Sequence, residues 1–116
     1  PMPAGGLFST AADVARFCQM MLNKGVLNGK QIISQEAVKQ LTSKQTGDTV
    51  PTNYGLGFST GGTFGHGGAM STNMTVDPAR GLITVWLVQH AGYAKNGGAS
   101  PAAFRKAVED AFGAKK

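Results

Sequence analysis

The residues best equipped for chemistry lie together in Thr63-Phe64-Gly65-His66-Gly67-Gly68-Ala69, where one histidine is set among glycines. Glycine removes the Cβ bulk that keeps a ligand away from peptide N–H groups. A backbone donor left open there could stabilise an oxyanion as it develops on a carbonyl, with the imidazole of His66 beside it. The spacing alone also allows a plainer outcome, in which Gly67-Gly68 make a bend and His66 is a half-exposed strand residue, because function lives in assembled sites.

The remaining reactive side chains offer less. His90 follows an apolar strand where the chain returns to solvent and reads as a loop residue. The sequence has two histidines, far apart and without a companion carboxylate or thiolate pattern, so no metal site is expected. Ser9 and Ser71 sit in neither a Gly-x-Ser-x-Gly elbow nor a Ser-x-x-Lys frame and are rejected as nucleophiles. Cys18 is the only cysteine, which rules out an internal disulfide, and its place on an apolar helix face marks a small buried hydrophobe. No cofactor motif is present.

Periodicity supplies the frame for these residues. Val14, Phe17, Cys18, Met21 and Leu22 repeat at helical spacing between a Thr10-x-x-Asp13 capping box and a stop at Gly25. Val26-Leu27 and the residues after Asn28-Gly29 form a tight ribbon. A shorter helix follows from an N-cap at Ser34 through Leu41, with Val38 and Leu41 inward. After a polar loop from Thr42 to Asn53, Tyr54, Leu56 and Phe58 alternate with glycines as a strand with one bare face. Further strands are expected at 63–69, 72–77 and 82–89, the last two joined by a turn over Asp77 to Gly81. Leu82 to Val88 is apolar except for Thr84, which calls for cover on both faces inside a sheet. A glycine-rich loop then leads to Ser100-Pro101, an N-cap and first helical residue, and to a helix whose inner face is Phe104, Ala107, Val108, Ala111 and Phe112.

This layout is α+β, an antiparallel meander packed by helices. Residues 1–116 read as a single partial domain. Its parts are a helical segment with a short ribbon (1–53), the antiparallel strands (54–92), and a loop with the C-terminal helix (93–116). The net charge of +5 comes from basic residues scattered along the chain. Basic residues adjoin only as the pairs Arg105-Lys106 and Lys115-Lys116, so a nucleic-acid surface is not expected. No apolar run reaches the ~20 residues that span a bilayer. The opening Pro1-Met2-Pro3-Ala4-Gly5-Gly6, without initiator methionine or signal-peptide pattern, suggests a piece of a longer protein.

Taken in order, "PAGGLFSTAADVARFCQMML", "YGLGF", "FGHGGA" and "VDPARGLITVWLVQH" resemble the C-terminal part of the serine β-lactamase-like hydrolases, a family that includes class C β-lactamases, DD-peptidases and esterases. The resemblance runs from Pro3 to about Phe112. It implies the C-terminal part of the β-lactamase/transpeptidase-like fold and a site built from Ser-x-x-Lys, Tyr-x-Asn and a Lys-Thr-Gly or His-x-Gly triplet. Only the triplet is present, as His66-Gly67-Gly68. By the resemblance, Ala69 offers its N–H to the oxyanion hole, His66 stands where the triplet's cation stands, and Gly67 and Gly68 line the substrate. An imidazole ordinarily titrates near ~6.5, so a charge there depends on pH as a lysine's does not. Gly67 replaces a Thr or Ser that could bind a substrate carboxylate, so ester or peptide hydrolysis is at least as well supported as β-lactam hydrolysis. Nucleophile and base must come from upstream, and the chain by itself is expected to be inactive. The expected partners are a small-molecule or peptide acyl substrate and the N-terminal part of the same protein, whose first strand pairs with the last. Without that strand, Leu82 to Val88 is expected to pair in trans or swap domains. Export to the periplasm or cell envelope is the family's habit. The competing reading is a peptide- or peptidoglycan-binding module of the same fold without the chemistry.

Overall fold

The computed structural model describes residues 5–91 and 97–113. Helix α1 (Ala11–Leu22) starts where the Thr10 hydroxyl accepts from the Asp13 N–H at 3.2 Å. The Asp13 carboxylate accepts a hydrogen bond from the same hydroxyl and pairs with Arg16, so half of the expected reciprocal box is formed. At the other end Gly25 (φ +90°) donates to Met20 C=O and Lys24 to Met21 C=O, which closes the helix with a six-to-one bond. A Cβ on Gly25 would lie 2.1 Å from the Ile33 carbonyl oxygen, so backbone approach as well as the positive φ demands glycine here.

Strands β1 (Val26–Leu27) and β2 (Lys30–Gln31) form the expected ribbon, with Asn28 at φ 50° and Gly29 at φ 76° making the tight turn. Helix α2 (Gln35–Thr42) begins at Ser34, whose hydroxyl accepts from Ala37 N–H, and buries Val38.

A three-stranded antiparallel sheet follows, with strands in sequence order: β3 (Phe64–Gly67), β4 (Asn73–Asp77) and β5 (Leu82–Trp86). The β4–β5 turn is fixed by Asp77, whose carboxylate accepts from Arg80 N–H and pairs with the Arg80 guanidinium, and by Gly81 at φ 64°. On one face α1 packs on β4 and β5, burying Cys18, Met21 and Val76 almost completely, with Val38, Phe58 and Phe64 beside them. Each such side chain contributes roughly 1.5–3 kcal/mol. On the other face lies α3 (Ser100–Phe112), reached through a short 3₁₀ turn, Gly97–Ala99, and touching β5 where Phe104 meets Trp86 at 5.0 Å between ring centres. The result is a helix–sheet–helix α+β arrangement.

Several expectations are corrected. Tyr54 to Phe58 is not a strand: Gly55 N–H donates to Phe58 C=O in a turn, and only an isolated bridge joins Tyr54 to Ser59. The physical reason is Gly55, whose missing Cβ lets the chain press against the Leu41 carbonyl at the end of α2 (a Cβ would be 2.2 Å from it), so its bareness serves packing rather than a ligand. Strand β5 stops at Trp86, short of the expected 82–89; it lies at the sheet's edge, as expected for this chain taken without the N-terminal strand, and its residues are half-buried because α1 and α3 cover its faces while its outer edge has no neighbour among the described strands. Ser100 is already helical and Ala99 takes the cap position without a side-chain bond, since the 3₁₀ turn runs directly into the helix. On α3 only Phe104 and Val108 of the expected face are sheltered, and Phe112 is 69% exposed because the helix overhangs the small sheet. Met20, off the expected stripe of α1, is buried where the ribbon folds back on that helix, while Phe17 is 41% exposed and stacks on Phe58. The glycine-rich loop around Tyr93, the first residues through Ala4, and the Lys115-Lys116 pair lie outside the described residues.

Among the described residues no helix is long and apolar enough to cross a membrane, and no three His, Cys, Asp or Glu side chains gather as a metal site.

Candidate active site

Strand β3 runs from the core into solvent within its four residues. Phe64 and Gly65 are buried, whereas His66 and Gly67 are exposed. Strand alternation puts His66 on the face of Phe64, opposite Met74 and above the core packed on α1. Its imidazole and the ring of Tyr54 make a T-shaped contact, 5.8 Å between ring centres and nearly perpendicular. Its Nδ1 contacts the Gly67 carbonyl oxygen. A bond to that oxygen requires the proton on Nδ1, which leaves the lone pair of a neutral ring on Nε2.

The backbone at this end is open in a way that can be read from its bonding. Gly65 exchanges both of its hydrogen bonds with Ser59, at 2.9 and 3.1 Å, so its polar groups point away from β4. Two residues on, the polar groups of Gly67 point the same way, along the sheet's outer edge. Beyond it the chain turns through Ala69, Met70 and Ser71, closed by Gly68 N–H to Thr72 C=O (2.8 Å) and Ser71 N–H to Gly68 C=O (3.1 Å). Ser71 adopts φ 63°, whereas neither Ala69 nor Met70 has positive φ, which is a type I turn followed by a left-handed residue. Ala69 occupies the second turn position, and its N–H makes no hydrogen bond among the described residues. The turn is also tied across the molecule: Ser71 Oγ donates to His90 C=O at 2.9 Å, and His90 N–H donates to Met70 C=O at 3.2 Å.

The glycines here have different causes. A Cβ on Gly65 would come within 2.1 Å of the Met74 carbonyl oxygen, and one on Gly68 within 2.2 Å of Thr72 Oγ1. Gly67 would meet nothing nearer than 3.6 Å. Packing within the chain therefore explains the first two, and leaves Gly67 as the position whose bareness opens space.

His66, Gly67 and Gly68 line one cavity of about 190 Å³, together with Val14, Thr72, Asn73, Met74 and Leu87. Ala69 is exposed on the turn just beyond and is not among its walls. Three of the four residues singled out from sequence thus share a cavity and the fourth adjoins it along the chain. Tyr54, Val14 and Leu87 were missed as neighbours of His66. Val14 has the sequence signature of a core residue, and Tyr54 gave no signal because it reaches His66 through a turn rather than a strand register.

Comparison with known proteins bears on what this arrangement is. The Beta-lactamase family model matches residues 1–108. The chain belongs to the beta-lactamase family. Within that family it is 32% identical, over 113 positions, to an uncharacterized protein of Mycobacterium tuberculosis, covering 74% of this chain and 28% of that protein. It is also 32% identical, over 97 positions, to an Escherichia coli O157:H7 protein named "Putative D-alanyl-D-alanine carboxypeptidase", covering 71% of this chain and 22% of that relative. The chain therefore spans about a quarter of the length of these relatives. The 116 residues of this beta-lactamase-family chain contain neither Ser-x-x-Lys nor Tyr-x-Asn.

Proposed function

We propose that this chain is the C-terminal portion of a serine hydrolase and forms one wall of its acyl-transfer site. A serine hydroxyl from elsewhere in the protein attacks an ester or amide carbonyl, an acyl-enzyme forms as the leaving group departs with a proton, and water releases the acyl group. Ala69 N–H supplies one donor to the oxyanion of each tetrahedral intermediate. His66 sits by the proton network of the nucleophile and by any substrate carboxylate. Gly67 and Gly68 let the acyl group lie along the end of β3. By itself the chain has no nucleophile and is inactive.

One observation carries this reading: at the end of an edge strand, a glycine that packing does not require stands between an exposed imidazole and, two residues on, an amide that is unpaired among the described residues. A second reading, a module that holds a peptide without cleaving it, is favoured by the outward N–H of Gly67, which an extended peptide could pair with. The two separate when the complete protein is treated with a fluorescent penicillin and with an activated phosphonate ester. The hydrolase reading expects covalent labelling of the complete protein by at least one probe and of the isolated chain by neither. Absence of labelling by both, with retained peptide binding, would favour the module.

A further inference from the structure

We propose that Ser71 is a positioning residue, whose hydrogen bond to the chain beyond β5 holds the turn that aims the Ala69 N–H. This rests on the acyl-transfer reading above. Ser71 lies in no nucleophile motif, yet its hydroxyl is committed. It donates to the His90 carbonyl at 2.9 Å, nineteen residues away, and the His90 N–H answers at Met70 C=O, 3.2 Å. Between them these two bonds staple the β3–β4 turn to the segment that continues β5.

The backbone shows why a staple is needed. Ser71 sits at φ 63°, a region that serine rarely adopts and glycine adopts freely. If the turn needed only its shape, glycine would serve better. A serine in that position is accounted for by its hydroxyl. The next residues back are Met70, whose carbonyl is the other anchor, and Ala69, whose amide is unpaired among the described residues. A rotation of the Met70–Ser71 peptide is transmitted directly to Ala69, and a donor displaced by about 1 Å from a developing oxyanion loses much of its effect.

The test uses the complete protein and three variants, Ser71→Gly, Ser71→Ala and Ser71→Asn, with an activated aryl ester as substrate. Loss of the staple should lower kcat about tenfold in the Gly and Ala variants with KM changed less than about twofold, because the donor acts on the transition state. Asn tolerates the same φ and carries a donor, so Ser71→Asn should recover most of kcat. A merely structural role predicts the opposite order, with Ser71→Gly the best of the three since it relieves the backbone. Amide exchange at His90 should accelerate in Ser71→Gly. Wild-type kcat in Ser71→Gly, or unaltered exchange at His90, overturns the proposal. If the wild-type protein forms no acyl-enzyme, the functional reading falls separately, and the exchange rate at His90 still decides whether the staple exists.

Discussion

Replacing Ala69 by proline removes the one backbone donor assigned to the oxyanion hole without asking the turn to change. Ala69 is the second residue of a type I turn, the position where proline's fixed φ is favoured, and its N–H is bonded to nothing among the described residues. The residue before it, Gly68, accepts the extended conformation that a following proline imposes. Ala69→Pro should therefore cost no stability, and the restriction of the unfolded chain can add about 0.4–1 kcal/mol. The consequence for chemistry is different in kind. Deleting one donor that acts only in the transition state costs about 2.7–4 kcal/mol, a loss of roughly 10²–10³ in kcat. The assay is the acylation rate of the complete protein by an activated ester, beside its thermal unfolding midpoint. A folded Ala69→Pro protein that acylates within about threefold of wild type, a difference under ~1 kcal/mol, refutes the assignment of that amide.

The glycines of β3 should separate by cause: Gly65→Ala, whose new Cβ would lie 2.1 Å from the Met74 carbonyl, should lower stability by about 1–3 kcal/mol in urea unfolding. Gly67→Ala, with nothing nearer than 3.6 Å, should leave stability within about 1 kcal/mol and slow acylation instead; equal destabilisation by the two would contradict the packing described. Burial pushes the Cys18 thiol above its ordinary range, so a disulfide reagent should modify it only after unfolding. Because the folded thiol holds its proton more tightly, its stabilising contribution is complete below the unfolded thiol's pKa and is lost as pH rises through the higher folded value; Cys18→Ala should therefore flatten that part of the alkaline stability profile. The outer edge of β5 has no partner among the described strands, so the isolated chain should pair in trans and show concentration-dependent size in chromatography, against which a monomer at high concentration would count.

The elements legible in the sequence were those whose signals are local. The Thr10 and Ser34 caps, the Asn28-Gly29 turn and the Asp77 to Gly81 connection each declare themselves through a side chain acting within a few residues, and each stands where the spacing put it. His66 at the exposed end of a strand was legible for the same reason. What failed depended on distant neighbours. Tyr54 to Phe58 has the alternation of a strand, but alternation with glycine is also what a chain needs to press against a helix end, and the Leu41 carbonyl decides which. Leu82 to Trp86 has the uniform apolarity that calls for cover on both faces, and α1 and α3 supply it, but the apolar run continues through Val88 and does not show that the strand ends at Trp86. The tie between Ser71 and His90 spans a hairpin and a strand, and no spacing rule predicts it.

The most direct measurement is the structure of the complete protein after reaction with a phosphonate ester, whose tetrahedral adduct mimics the intermediate. The account predicts a phosphonyl oxygen about 3 Å from Ala69 N, with the acyl substituent along Gly67 and the imidazole of His66 beside the modified serine. An adduct seated elsewhere, or an Ala69 amide turned from the phosphorus and bonded within the protein, would contradict it.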